Sequence, residues 1–144
     1  MKKIVFNNPQ KELPSKDSLL SWLTLCAKHY KVELSEVMYN FVSKEEMLVL
    51  NQKHLNHDTH TDIITFSYTS FPVISAEIYI STEQCRENAS LNHKTTENEL
   101  LRLMSHGFLH DVGYKDKTEA EKHQMTAEEN RCIHMFHVKH QNHA

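Results

Sequence analysis

The chain has 144 residues, with 16 Lys and Arg, 19 Asp and Glu and 12 His, and its formal net charge is −3 when the histidines are neutral. This length is typical of one domain with a substantial hydrophobic core. Because arginine occurs only at Arg86, Arg102 and Arg131, the composition argues against a protein that holds nucleic acid through a broad basic face.

Strand and helix patterns alternate along the first third of the chain. Ile4–Phe6 predicts a short first strand that ends at Asn-Asn-Pro. A helix follows, capped by Ser15 or Asp17 and apolar on one face as far as about Tyr30. A mixed segment comes next, and within it Tyr39–Val42 predicts the second strand.

The middle of the chain predicts a second helix and two further strands. Ser43 opens the helix, with Glu46 three residues on in a capping-box arrangement. The segment His54–His60 is polar and predicts a loop. Ile63–Tyr68 and Ile74–Ile80 carry the β-branched and aromatic residues that are typical of strands.

Three helices complete the predicted order. The first follows Ser81, which can cap it, the second begins at Thr95 or Thr96, and the third begins at Thr118 and ends at about Phe136. The resulting order, β-α-β-α-β-β-α-α-α, predicts an α+β domain in which helices cover a small, mixed, four-stranded sheet. The second of these helices, near the C-terminus, carries the candidate metal ligands.

The ends of the chain and its cysteines indicate where the protein works. We expect one domain over residues 1–133 and a His-rich, frayed tail over residues 134–144. Only three apolar residues follow Met1-Lys2-Lys3, and no run approaches the length of about 20 residues that spans a membrane. The cysteines are far apart and form no Cys-x-x-Cys pair, which is typical of reduced thiols; they are Cys26, Cys85 and Cys132. We therefore expect a soluble, cytoplasmic protein.

A pair of histidines in the long helix predicts a metal site. His106 and His110 are four residues apart, so both imidazoles lie on one face of the helix and can reach one ion. Gly113 then ends the helix, so that Asp116 can turn back as a third ligand. Two imidazoles and one carboxylate leave a position open for water, as in catalytic zinc sites, where the metal lowers the pKa of that water.

The histidines have competing interpretations. A pair at this spacing is more often solvated or hydrogen-bonded, but the surrounding leucines would bury this helix, and buried polar groups need partners. His123 is a competing third ligand, although it lies two turns into the last helix. Gly107 occupies the position of the general base in a His-Glu-x-x-His protease, so that mechanism is not expected. Two further groups are interpreted as solvated rather than as second metal sites: the histidines of His54–His60, and His134, His137, His140 and His143.

The stretch from His106 to Tyr114 resembles the hallmark of the YbeY family, His-Gly-x-Leu-His-x-x-Gly-Tyr-Asp-His, up to its tyrosine. Members of that family are described as bacterial rRNA maturation factors and zinc-dependent, single-strand endoribonucleases. The similarity extends over roughly residues 35–133. Its other parts are Leu50-Asn51, Asp58, Thr61–Phe66, Glu77–Ser81, Glu121, Met125, Glu128 and Glu129.

The resemblance implies hydrolysis of phosphodiester bonds during 16S rRNA maturation and ribosome quality control. It also implies one Zn²⁺ per chain, held by His106, His110 and Asp116. The implied partners are ribosomal RNA and the small ribosomal subunit or its associated proteins. Lys115 and Lys117 are candidates for the cation that stabilises charge on the phosphate, from their position alone. The alternative is a zinc-stabilised ribosome assembly factor that does not cleave RNA.

The chain departs from the family pattern at three places. Asp116 stands where the family has its third metal histidine, with Lys115 where it has an aspartate. Leu55 replaces an arginine that the family is thought to use on the RNA phosphate, so we expect a slow nuclease. Ala76-Glu77 replaces a Gly-Asp pair before the fourth strand.

Overall fold

The computed structural model describes residues 3–55 and 61–141. Its elements are β1 (Lys3–Asn7), α1 (Lys16–Tyr30), β2 (Glu33–Val42), α2 (Lys44–Leu55), β3 (Ile63–Ser67), β4 (Val73–Ser81), α3 (Thr82–Leu91), α4 (Thr96–Val112) and α5 (Glu119–Gln141). Within these ranges the sheet has the order β1-β2-β4-β3. Strands β1, β2 and β4 are parallel, and β3 is antiparallel to β4. The predicted α+β class, the element order and the mixed four-stranded sheet are confirmed.

The helices begin where the sequence places side-chain caps. Ser15, Ser81 and Thr95 each accept a hydrogen bond from the backbone N–H three residues on, at the starts of α1, α3 and α4. Ser43 and Glu46 form the predicted capping box at the start of α2, each side chain accepting from the other's backbone N–H. These contacts are local, which is why the sequence alone predicts them.

Helix α4 lies between the sheet and α5. It packs on β3 and β4, while α5 packs against both α4 and α1. The fully buried Trp22 ties α1 to α5, because its indole N–H donates to the carbonyl of Cys132 over 2.8 Å. Its ring also meets that of Phe136 edge-on, with centroids 5.6 Å apart. The candidate metal-binding helix is therefore held rigidly on two sides.

Two predicted boundaries are wrong. Strand β2 begins at Glu33 instead of near Tyr39, because the earlier residues pair with the start of β4 and Leu34 is buried. Helix α5 continues to Gln141 instead of ending near Phe136, so residues 134–141 of the expected frayed tail are helical. Just past the predicted end, Nε2 of His137 lies 3.1 Å from Oδ1 of Asn98 on α4, a tertiary contact that the local sequence does not show. The division into a domain and a tail stays a prediction.

The loop predicted after α2 is described only in part. Helix α2 runs on to Leu55, and residues 56–60 of the predicted loop lie outside the described residues. Leu55's side chain also lies outside them.

Each of the three cysteines is buried and free. Over residues 3–55 and 61–141, no helix combines the length and apolar character that crossing a membrane requires.

Gly107 lies where α4 packs closely against the sheet. A Cβ atom there would lie 3.1 Å from two side-chain atoms of Ile78 and 3.3 Å from Cδ1 of Ile63. The residue after the first histidine therefore faces the sheet, which gives a structural reason why no general base stands at this position.

We expect Gly107→Val to lower the free energy of unfolding by about 1–3 kcal/mol, because the added methyl groups have no room between α4 and the sheet. Urea denaturation measures the change. Gly107→Ala is the matched control, and its smaller clash should be partly offset by the better helix propensity of alanine, worth about 1 kcal/mol. A Gly107→Val protein as stable as the native one would contradict this close packing.

Candidate metal centre

The predicted ligands on α4 and in the turn after it meet at one point. His106 and His110 lie one helical turn apart, with their Nε2 atoms 3.0 Å from each other. Oδ2 of Asp116 lies 3.2 Å from Nε2 of His106 and 3.4 Å from Nε2 of His110. One ligand atom from each residue thus falls within 4.8 Å of the other two. The three side chains are partly exposed, so the cluster is open to ligands from solvent.

Gly113 creates the turn that returns Asp116 to the helix. Its φ of 127° is a conformation that residues with a side chain rarely adopt. The N–H groups of Gly113 and Tyr114 both donate to the carbonyl of Leu109 over 3.0 Å, which closes the helix end. Thr118 and Glu121 then form the predicted capping box that starts α5. The ligand loop is consequently fixed at both ends.

His106 is oriented by a buried carboxylate on α5. Its Nδ1 lies 2.6 Å from Oε2 of Glu129, which is only 7% exposed. Oε1 of Glu129 accepts a hydrogen bond from the Arg102 guanidinium over 3.0 Å, so the carboxylate charge is balanced. Burial acts to lower the pKa of His106, but the hydrogen bond and charge of Glu129 outweigh it, and the net pKa is raised. With Nδ1 donating to Glu129, the lone pair of Nε2 faces the cluster.

A backbone carbonyl orients His110 in the same way that Glu129 orients His106. Its Nδ1 lies 3.1 Å from the carbonyl oxygen of Tyr114, in the turn that Gly113 creates. Nδ1 of each imidazole therefore faces a hydrogen-bond acceptor, and Nε2 of each faces Asp116. This pattern, with an outer acceptor fixing each ligand imidazole, is the usual support of a metal site. Two neutral imidazole nitrogens and one carboxylate oxygen suit Zn²⁺, so the donor set fits the predicted ion.

The cluster opens into a cleft of about 880 Å³ between α4 and the edge strand β3. Lys117 lines this cleft, whereas Lys115 lines a neighbouring depression on the other side of the turn. Polar groups from the start of β3, including the Asp62 carboxylate, lie on the cleft wall. Asn88 holds that carboxylate with a hydrogen bond of 3.2 Å. Of the two candidate lysines, only Lys117 shares the cleft with the histidines.

The competing histidines lie elsewhere. His123 is exposed on α5 and is not part of the described cluster. His134 and His137 are exposed on the same helix, and Nε2 of His137 lies 3.1 Å from Oδ1 of Asn98. The side chains of His54 and His140, together with His57, His60 and His143, lie outside the described residues. Their interpretation as solvated stays a prediction.

The sequence alone assigned no role to two further carboxylates at this site, Glu129 and Asp111. Glu129 carried a signal, since it falls four residues after Met125 and three before Cys132, on the buried face of α5. A carboxylate on such a face indicates a specific partner. Asp111 follows His110 directly and accepts a hydrogen bond from the Ser67 hydroxyl. Burial raises the pKa of Asp111 to about 6, although that hydrogen bond acts in the opposite direction.

We expect Glu129→Gln to weaken metal binding by about 10- to 100-fold, because the neutral amide holds His106 less firmly and donates less electron density through it. A competition titration with a chromophoric chelator measures the dissociation constant. Glu128→Gln is the matched control, since the adjacent carboxylate bonds to Tyr30 and Arg131 instead of a histidine. Equal affinities in the two variants would rule out this role for Glu129.

Three comparisons place the chain among known proteins. The family model described as Endoribonuclease YbeY matches residues 5–137. A protein named Endoribonuclease YbeY from Cytophaga hutchinsonii is 40% identical over 125 residues, covering 86% of this chain and 87% of its own length. One of the same name from Flavobacterium psychrophilum is 39% identical over 128 residues, covering 89% and 91%. The solution structure of TM1509 from Thermotoga maritima superposes with a TM-score of 0.66 at 25% identity, covering 99% of this chain and 93% of that one.

Proposed function

Since the chain belongs to the Endoribonuclease YbeY family, we propose that it is a zinc-dependent, single-strand-specific endoribonuclease. We propose that it acts on 16S rRNA in ribosomal RNA maturation and ribosome quality control. Its partners are then ribosomal RNA and the small subunit or proteins associated with it. The observation that carries the proposal is the convergence of His106, His110 and Asp116 within 4.8 Å at an open cleft.

The proposed ligands are His106, His110 and Asp116, and the two histidines are supported from α5 and from the turn after α4. Glu129 fixes His106 from α5, and the Tyr114 carbonyl fixes His110 from the turn. When bound there, Zn²⁺ supplies Lewis acidity toward a phosphoryl oxygen and makes a water molecule more acidic. The chain's own part is to hold both imidazoles aimed at the cleft before the RNA arrives, which lowers the reorganisation needed during reaction.

Lys117 is the proposed partner of the RNA phosphate at this cleft. It lines the cleft together with the three proposed ligands, and its ammonium group can neutralise a phosphate charge there. Lys115 lines the neighbouring depression, so its proposed contact is with a flanking phosphate. Neither lysine reproduces the bidentate grip of the arginine that Leu55 replaces.

Zinc is the proposed ion because of the ligand types. Mg²⁺ and Ca²⁺ favour sites made of oxygen atoms, whereas imidazole nitrogen suits zinc. Asp116 adds one negative charge compared with the histidine that the family pattern has at this position. Zinc accepts carboxylate oxygen as readily as imidazole in open sites, so the substitution is compatible with binding.

A second candidate function is ribosome assembly without RNA cleavage. The arginines favour it, because each of them is already paired with a carboxylate: Arg86 with Glu12, Arg102 with Glu129, and Arg131 with Glu128. RNA binding then falls to the lysines, which hold phosphate as point charges. This pairing also supports the expectation of a slow nuclease with strongly salt-dependent binding.

Substitutions of Asp116 test the proposed ligand set. Asp116→His should retain the metal, because it restores the ligand type of the family pattern. Asp116→Ala should weaken metal binding by about 10- to 100-fold or more, since losses of outer contacts alone reach that range. Isothermal titration with Zn²⁺ measures both. If Asp116→Ala binds zinc like the native protein while His123→Ala does not, the third ligand lies on α5.

A further inference from the structure

A second depression lies beside the candidate metal cleft, on the other side of the turn after α4. Its volume is about 580 Å³. Phe71, Tyr114, Lys115 and Gln124 are among the residues that line it. Tyr30 and Glu121 line it as well, so it combines three aromatic rings, one amide, one ammonium group and one carboxylate. The side chains of Phe71, Tyr114, Lys115 and Gln124 are not needed to hold the candidate metal ion.

The aromatic rings are available to a planar ligand. Phe71 is 57% exposed, in the loop between β3 and β4. The Tyr114 ring is half-buried and is held edge-on by Tyr30, with the ring centroids 6.0 Å apart. An exposed ring and a half-buried ring that line the same depression offer apolar faces to a flat ligand. Nucleobases are such ligands, and every base offers a face to an aromatic side chain.

The depression and the metal cleft are joined by one short stretch of chain. Tyr114 and Lys115 line the depression, while Asp116 and Lys117 line the cleft. Since consecutive residues advance by no more than about 3.6 Å, the two hollows are neighbours on the surface. A lysine lies in each of them, so a strand that crosses the turn meets positive charge on both sides. This arrangement is complementary to the phosphates of one RNA strand.

We propose that the depression lined by Phe71 and Tyr114 is a nucleobase subsite for single-stranded RNA. The inference rests on the proposed nuclease function and names how its substrate is held. One unstacked base lies against the two rings, with the Gln124 amide able to bond its edge. Lys115 contacts the phosphate that leads toward the cleft. A base in a duplex cannot enter, because it is paired and stacked, so the subsite selects single strands.

Fluorescence of 2-aminopurine tests the subsite separately from cleavage. The probe is a short single-stranded oligoribonucleotide with one adenine replaced by 2-aminopurine, mixed with the full-length, zinc-loaded protein. Emission is read immediately after mixing, before cleavage, and falls when the base stacks on a ring. Phe71→Ala should remove most of this quenching and weaken binding by roughly 5- to 150-fold. Phe71→Tyr should retain the quenching and the affinity, because it keeps an aromatic ring at this position.

Tyr68→Ala is the matched control, because Tyr68 is 62% exposed in the same loop but lines a different hollow. The Tyr68→Ala protein should bind the oligonucleotide and quench 2-aminopurine as the native protein does. If the Phe71→Ala protein also binds and quenches like the native protein, and the native protein cleaves RNA, the subsite is wrong and the nuclease function stands. If equal losses occur in Tyr68→Ala and Phe71→Ala, the loop acts in general and the subsite is also wrong. A native protein that neither binds nor cleaves the probe overturns the nuclease function and the subsite together.

Discussion

Replacing His110 with alanine is expected to reduce tightly bound zinc from about one ion per chain to almost none. The Nε2 atom of His110 lies 3.0 Å from that of His106 and 3.4 Å from Oδ2 of Asp116, so the substitution leaves only two of the three donors. A single imidazole and a single carboxylate do not complete a catalytic zinc site, which needs three protein ligands. Elemental analysis of the purified protein measures the ratio of metal to chain.

The His-rich end of α5 requires a specific control in this experiment. Truncation before residue 134 would remove Phe136, whose ring packs against Trp22, and would disturb the helix that carries Glu129. Histidines 134, 137, 140 and 143 should therefore be replaced by glutamine in every protein compared. In that background, His123→Ala should keep one zinc per chain. One zinc remaining in the His110→Ala protein would show that the proposed ligands are wrong.

Ligand variants that still fold are expected to lose cleavage of single-stranded RNA while RNA binding changes much less. Cleavage depends on the metal and should fall by about 100-fold or more in His106→Ala, whereas binding depends on lysine contacts with phosphate. Gel assays of cleavage and fluorescence anisotropy of binding measure the two effects separately. Lys117→Ala should instead weaken RNA binding. The slope of log affinity against log salt concentration should also fall by about one, because one phosphate contact is lost. A parallel fall of binding and cleavage in His106→Ala would contradict this separation.

The parts of the structure that depend on neighbours in sequence were predictable. Capping side chains such as Ser15 and Ser43 set helix starts through contacts three residues away. The convergence of His110 and Asp116 follows from helical spacing and one glycine turn. Each of these features is decided within about six residues, where hydrogen-bond geometry and backbone conformation leave few alternatives.

The parts that depend on tertiary packing were not predictable from the sequence. Glu129 lies 23 residues from His106 along the chain, and only the packing of α5 on α4 brings them together. The packing of Phe136 of α5 against Trp22 of α1 is also a tertiary contact that local helix propensity does not report. Likewise, the early start of β2 depends on pairing with a strand some forty residues later, at Val73.

Zinc titration of chelator-stripped protein tests the central claim most directly. Cleavage of single-stranded rRNA should be absent without metal, rise in proportion to added zinc and level off at about one ion per chain. The His110→Ala protein should stay inactive over the same range. The opposite result would be a native protein that leaves this RNA uncut with its site filled, while metal-free His110→Ala still restores ribosome assembly in cells lacking the native gene. That outcome would contradict the nuclease account and identify the protein as a non-cleaving assembly factor.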